Sequence, residues 1–177
     1  MADAAVSTHG FTLIELLVTM AVVAILLTIG IPNYQIFLLN SRMTSKSNDL
    51  LGALQLARSE AVKRNSRVSV CKGAGGVCGA VGTWAQGWMV FVDGGVAGTV
   101  DGTDAPIHIF PALTGTTTLL ATANISNFIS YLPTGMPNLA VGTTATLTLC
   151  PGVPGVSGRD VQIVAAGRAS IVNVVCP

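Results

Sequence analysis

FTLIELLVTMAVVAILLTIGI, residues 11–31, is the stretch that decides the fold. Its twenty-one residues carry one charge, Glu15. As an α-helix rising ~1.5 Å per residue they span roughly 31 Å, the depth of a bilayer's hydrocarbon core. Few soluble cores accept so long an uninterrupted apolar stripe. A secretory signal peptide would show a shorter apolar run behind a basic start, then a small-x-small cleavage site. Residues 1–10 contain no Lys or Arg, and the nearest such site, Thr28-Ile29-Gly30, lies at the end of an over-long run with Pro32 just beyond it. The run reads as a membrane-spanning helix.

Glu15 is the residue that this reading must explain. A carboxylate at the centre of a membrane helix costs on the order of 2.5–3.5 kcal/mol on insertion scales, and less near an end. A paired cation offsets that cost. Cleavage between Gly10 and Phe11 would place the new α-amine of Phe11 near Glu15, on its own chain or on a neighbour in an assembly. Glu15 then reads as an assembly contact.

Beyond Pro32 the pattern turns amphipathic. Met43, Leu50, Leu54, Ala57 and Ala61 recur at helical steps with Leu51 and Val62 beside them, while Arg42, Lys46, Asp49, Glu60, Lys63 and Arg67 occupy another face. A helix from Phe11 to about Arg64 would be roughly 80 Å long. From Arg67 onward the chain is β-like: RVSVCK, GWMVFV, PIHIF, TTTLLA, FISYL, TATLTLC, DVQIVAA and ASIVNVV are separated by Gly-, Pro- and Asn-rich breaks. The expected fold class is α+β, with seven or eight short, mostly antiparallel strands in one sheet or two packed on the amphipathic half of the helix, and a lollipop outline.

Composition agrees with one domain plus an extension. The 177 residues are 50% hydrophobic and only 10% charged, with a mean hydropathy of +0.65, against a usual charged share of about 25%. That excludes a disordered or highly charged chain. Formal net charge is +1, so any electrostatic partner must come from local clustering. Seven of the nine cations, Arg42, Lys46, Arg58, Lys63, Arg64, Arg67 and Lys72, fall within residues 42–72, opposed by only Asp49 and Glu60. A solvated helix face meeting acidic neighbours or lipid headgroups is the simpler account, with Glu60 supporting Lys63 and Arg64; nucleic acid is the other.

Catalytic groups are scarce. The histidines are His9 and His108, and no G-x-S-x-G turn or comparable nucleophile meets either. Asp93, Asp101 and Asp104 lie in DGGVAGTVDGTD, whose composition reads as an exposed turn and, as the sharper alternative, as a calcium loop that matches no EF-hand spacing. Trp88 alternates with Val90 and Val92 and reads as core, whereas Trp84 is undecided; a stacking groove for single strands has little support. Enzymatic activity is not expected, nor is a cofactor or a resident metal. Cys71, Cys78, Cys150 and Cys176 lack zinc spacing. Behind an envelope-targeting segment they read as two disulfides. Cys71–Cys78 and Cys150–Cys176 are preferred among three pairings, and on a chain-entropy treatment these loops contribute about 2.5 and about 3.6 kcal/mol.

The junction Gly10-Phe11-Thr12-Leu13-Ile14-Glu15-Leu16 resembles the class III leader junction of type IV pilins and type II secretion pseudopilins. The resemblance implies a prepilin peptidase that cuts after Gly10 and N-methylates Phe11. It implies a leader over residues 1–10, a transmembrane and filament-core helix over 11–38 loosened at Pro32, and a periplasmic head over 39–177. The leader departs from the usual pattern in lacking Lys and Arg. In the head, Leu56-Ala57-Arg58-Ser59-Glu60-Ala61, Gly87-Trp88 running into Phe91-Val92-Asp93, Leu132-Pro133-Thr134-Gly135, Leu147-Thr148-Leu149-Cys150 and Gly167-Arg168 resemble the FimT/GspH-like minor pilins. Partners implied are other major and minor pilins or pseudopilins, the prepilin peptidase and inner-membrane lipid. DNA is implied as well, because some FimT-like proteins bind it through a C-terminal G-R-x-R. Here Gly167-Arg168-Ala169-Ser170 lacks the second arginine, with Arg159 expected on a neighbouring strand and Lys63, Arg64 and Arg67 as further candidates.

Overall fold

The computed structural model describes residues 10–73, 77–79, 81–102, 104–153 and 155–176. Of the expected leader over residues 1–10, only Gly10 falls within them; Asp3 and His9 lie outside. The chain divides into two compact units, Met1–Leu38 and Leu39–Pro177. One helix, α1 (Leu13–Arg64), runs through the boundary. In the first unit the described side chains from Leu13 to Phe37 are exposed on every side of the helix. A helix apolar all round has no polar face to offer to water, and such helices are buried in a large core or a membrane. α1 runs on through residue 32. Side-chain donors supplement the backbone on the preceding turns: Asn33 Nδ2 donates to the Ile29 carbonyl at 3.0 Å and Thr28 Oγ1 to that of Ile25 at 2.7 Å.

In the second unit α1 ends in a Schellman arrangement. Asn65 takes the left-handed conformation at φ 50° and the Ser66 amide donates to the Ala61 carbonyl. Eight strands follow: β1 (Val68–Lys72), β2 (Trp88–Val92), β3 (Pro106–Phe110), β4 (Thr118–Ala121), β5 (Phe128–Tyr131), β6 (Thr144–Cys150), β7 (Gly158–Val164) and β8 (Ala169–Val174). They form two antiparallel four-stranded sheets, ordered β3-β2-β1-β5 and β4-β6-β7-β8. The fold is α+β, and each strand segment read from the sequence overlaps an observed strand, though β7 begins and ends two residues before the segment 160–166 read for it.

Met43, Leu50, Leu54, Ala57 and Ala61 are buried in one cluster with Val68, Val70, Trp88 and Val90 of the first sheet and Leu147, Leu149, Val161 and Ile163 of the second. Period-2 alternation puts these residues on the inner faces, while Thr144, Thr146 and Thr148 point outward from β6. Each fully buried Leu or Ile contributes about 1.5–3 kcal/mol. Val62 is half-exposed at 54%, so the apolar stripe is narrower than its spacing indicates. Trp84 is buried, its indole N–H donating to the Ser126 carbonyl at 3.1 Å.

The first sheet is buried on its other face too. Cys71, Met89 and Phe91 form a second cluster with Cys78 and Phe128. Residues 93–98 of the loop after β2 close over this face, with Gly98 against the Phe128 ring. Disulfides join Cys71 to Cys78 and Cys150 to Cys176. The latter ties the end of β6 to the segment after β8.

Tyr131 is buried between these layers, and burial pushes its phenol up to about 12 against the opposing pull of the Arg58 charge. The fold favours the neutral phenol. Its contribution to stability is therefore complete below the unfolded value of about 10 and is lost as pH rises toward about 12. A fragment beginning at Leu39 contains Tyr131 and no other tyrosine. Its absorbance at 295 nm is expected to rise only near pH 12 when folded and near pH 10 in urea; coincident titrations would contradict the burial.

Candidate functional site

The stem site is the first turn of α1. Thr12 and Glu15 close a reciprocal cap: the Glu15 amide donates to Thr12 Oγ1 at 3.3 Å, and Glu15 Oε2 accepts from the Thr12 amide at 3.1 Å and from the Thr12 hydroxyl at 3.2 Å. Oε1 makes no hydrogen bond among the described residues. The carboxylate is thus held on the helix's first turn by its own chain, with one oxygen left for a cation. Phe11 beside it is exposed. Sequence reasoning singled out Gly10, Phe11 and Glu15 and missed Thr12. The signal was present, because a hydroxyl residue three positions before a glutamate at the start of an apolar run is a capping box.

In the head, three separated motifs meet at Arg58. Its guanidinium donates to the Gly167 carbonyl at 3.0 Å and the Ala166 carbonyl at 3.3 Å. Gly167 closes the β7–β8 hairpin in the left-handed conformation, φ +82°, and a Cβ there would stand 2.5 Å from the Gly135 carbonyl oxygen. Gly135, at φ +76°, ends the Leu132–Gly135 turn, where a Cβ would meet Arg58 Nε and Val62 Cγ2. Both positions favour glycine on conformation, and at Gly167 the space requires it as well.

A buried polar cluster anchors the loop that covers the first sheet. Asp93 is 2% exposed, which corrects its reading as part of an exposed turn. Arg67 Nη2 donates to Asp93 Oδ1 at 2.6 Å and also to the Gly95 carbonyl. Ser69 Oγ and the Gly98 amide both donate to Asp93 Oδ2, the latter at 2.8 Å, and Ser130 Oγ shares a 2.6 Å hydrogen bond with Ser69. The other loop carboxylates are also taken by backbone amides. Asp104 accepts from Gly94 and Asp101, and Asp101 accepts from Val96. Among the described residues no group of three or more His, Cys, Asp or Glu side chains stands together as a metal site.

The cations expected to face DNA do not form a track. Arg67 is committed to Asp93. Glu60 accepts from Arg64 Nε and, at 3.5 Å, from Lys63 Nζ. The Arg64 hydrogen bond is the main cause holding the Glu60 carboxyl below the usual carboxylate range. Lys46 pairs with Asp49 at 3.0 Å and Lys72 is buried. Arg168 is exposed, but Arg159 is not beside it. Arg159 pairs across the hairpin with Asn173, five residues beyond Arg168, a separation of roughly 16 Å at ~3.3 Å per residue. Its guanidinium binds the nearby Ser157 and Gly158 carbonyls instead.

The profile of the family described as Type II transport protein GspH matches residues 46–167, and that of the prokaryotic N-terminal methylation motif matches residues 7–31. The chain belongs to the GspH family and carries this methylation motif. Its fold is that of the Pseudomonas aeruginosa type IV minor pilin FimU. One crystal form of FimU is 22% identical with a TM-score of 0.59, covering 75% of this chain and 89% of that one; a second is 23% identical with a TM-score of 0.55, covering 73% and 91%. No curated protein matches the chain in sequence.

Replacing Asp93 by Ala leaves Arg67, Ser69 and the Gly98 amide without their acceptor, and removing one partner of a buried pair costs about 3 kcal/mol. Urea unfolding of Asp93→Ala is expected to show that loss. A change below about 0.5 kcal/mol, the range of ordinary surface substitutions, would mean that the cluster does not anchor the loop.

Proposed function

We propose that the chain is a minor type IV pilin: a structural subunit, not an enzyme, that is incorporated into a pilus or primes its assembly. Prepilin peptidase removes residues 1–10 and N-methylates Phe11. Residues 11–38 cross the bacterial inner membrane and later enter the filament core, and residues 39–177 form the periplasmic head. The observation that carries this reading is the uncovered apolar helix with a single carboxylate, Glu15, inside a methylation motif. In a filament Glu15 meets the Phe11 amine of an adjacent subunit, which offsets the cost of an acid in an apolar medium and sets axial register. Major and minor pilins are the partners.

The family's description favours a second reading, in which the same architecture serves as the H pseudopilin of a type II secretion filament. The likeness to FimU and the two disulfides favour the pilus. DNA uptake has less behind it, because most cations near the helix end are already engaged and Arg168 stands without a second arginine.

Glu15→Val keeps the apolar run and is expected to leave membrane insertion and head folding unchanged while abolishing incorporation. Fractionation of sheared filaments checks this, and filaments containing the variant at the normal level would contradict the role given to Glu15.

A further inference from the structure

We propose that a cleft at the start of the head holds the phosphate of an anionic membrane lipid. The cleft, about 170 Å³, lies wholly within the second unit, where residues 39–46 of α1 face loop 113–117. Its polar lining is Arg42, Ser45, Lys46, Thr114, Thr116 and Thr117. Arg42 stands apart among the cations of residues 42–72: it is exposed and makes no hydrogen bond or ion pair among the described residues, whereas the other exposed cations there, Lys63 and Arg64, both pair with Glu60. The hydroxyls of Ser45, Thr114 and Thr117 are likewise unpaired among the described residues, and Thr116 donates to the Pro151 carbonyl at 3.0 Å. The amides of Thr114, Gly115 and Thr116 have no backbone acceptor.

A guanidinium beside several free hydroxyl and amide donors is the chemistry that receives a phosphate oxyanion. The charge of the cleft selects a single one. Arg42 and Lys46 supply two positive charges and Asp49, 3.0 Å from Lys46, removes one, so the remaining +1 matches a phosphodiester. A polynucleotide would need a track of such sites.

The position in the chain supplies the source. This part of the inference rests on the reading of residues 11–38 as membrane-spanning. Exposed Tyr34 and Phe37 follow the apolar run, as aromatic residues do at the headgroup level. Arg42 comes five residues after Phe37, where juxtamembrane cations meet anionic headgroups. The lipid would hold the head at the membrane before assembly and would be surrendered on extraction.

The full chain in detergent with phosphatidylglycerol, examined by native mass spectrometry, tests the cleft; co-flotation with phosphatidylcholine vesicles separately tests the anchor. Wild type is expected to retain phosphatidylglycerol above phosphatidylcholine. Arg42→Gln is expected to reduce that retention about fivefold with no change in flotation or melting temperature. Inorganic phosphate in excess separates the sources: lipid that stays bound in an Arg42-dependent way assigns the headgroup, and lipid that is displaced shows that free phosphate fills the same cleft. Equal retention by wild type and Arg42→Gln, with flotation intact, would overturn the cleft alone. Failure of wild type to float would overturn the anchor and the cleft with it.

Discussion

The constraint on which everything else depends is the lack of cover for the described side chains of α1 from Leu13 to Phe37. Among the described residues of their own unit, no apolar surface faces them. Leaving such a segment in water costs about 25 cal/mol for each Å² of apolar surface, so the cover must come from lipid or from other copies of the same kind of helix. Either medium penalises a bare carboxylate. The Thr12 cap satisfies one oxygen of Glu15 within the chain and leaves the other to attract a cation. An amine created by cleavage next door is the cheapest cation such a chain can supply, and the proposed assembly role follows from that.

The head answers a different requirement. The amphipathic half of α1 needs partners for one face only, and the two sheets provide them from their inner faces. Arg58 then fixes the turns at which the strands reverse, by hydrogen bonds to one and close contact with the other. On the far side of the first sheet, Asp93 and Arg67 hold down a loop too polar to be held by apolar contacts alone. Most of the cations that looked available as a binding surface are spent on this internal bonding.

Much of the fold was legible because its signals are periodic. The break from all-round apolar to amphipathic helix, and the alternation within each strand, depend only on spacing along the chain. The partition into two sheets was not legible, since strand order depends on which edges meet in space. The same limit explains the misplacement of Arg159: it lies at the start of β7, the end far from the hairpin turn, so nearness in sequence to Arg168 becomes distance along a strand. The burial of Asp93 was hidden by the glycine-rich composition around it. The Thr12–Glu15 cap, by contrast, was readable in four consecutive residues.

The account turns on an amino group that exists only after the chain has been cut. Intact mass spectrometry of the native protein, taken from membranes that contain the peptidase, tests this most directly. The account predicts a polypeptide that begins at N-methylated Phe11 and is four hydrogens lighter than its fully reduced form. A native polypeptide that still begins at Met1 and assembles into filaments would contradict it.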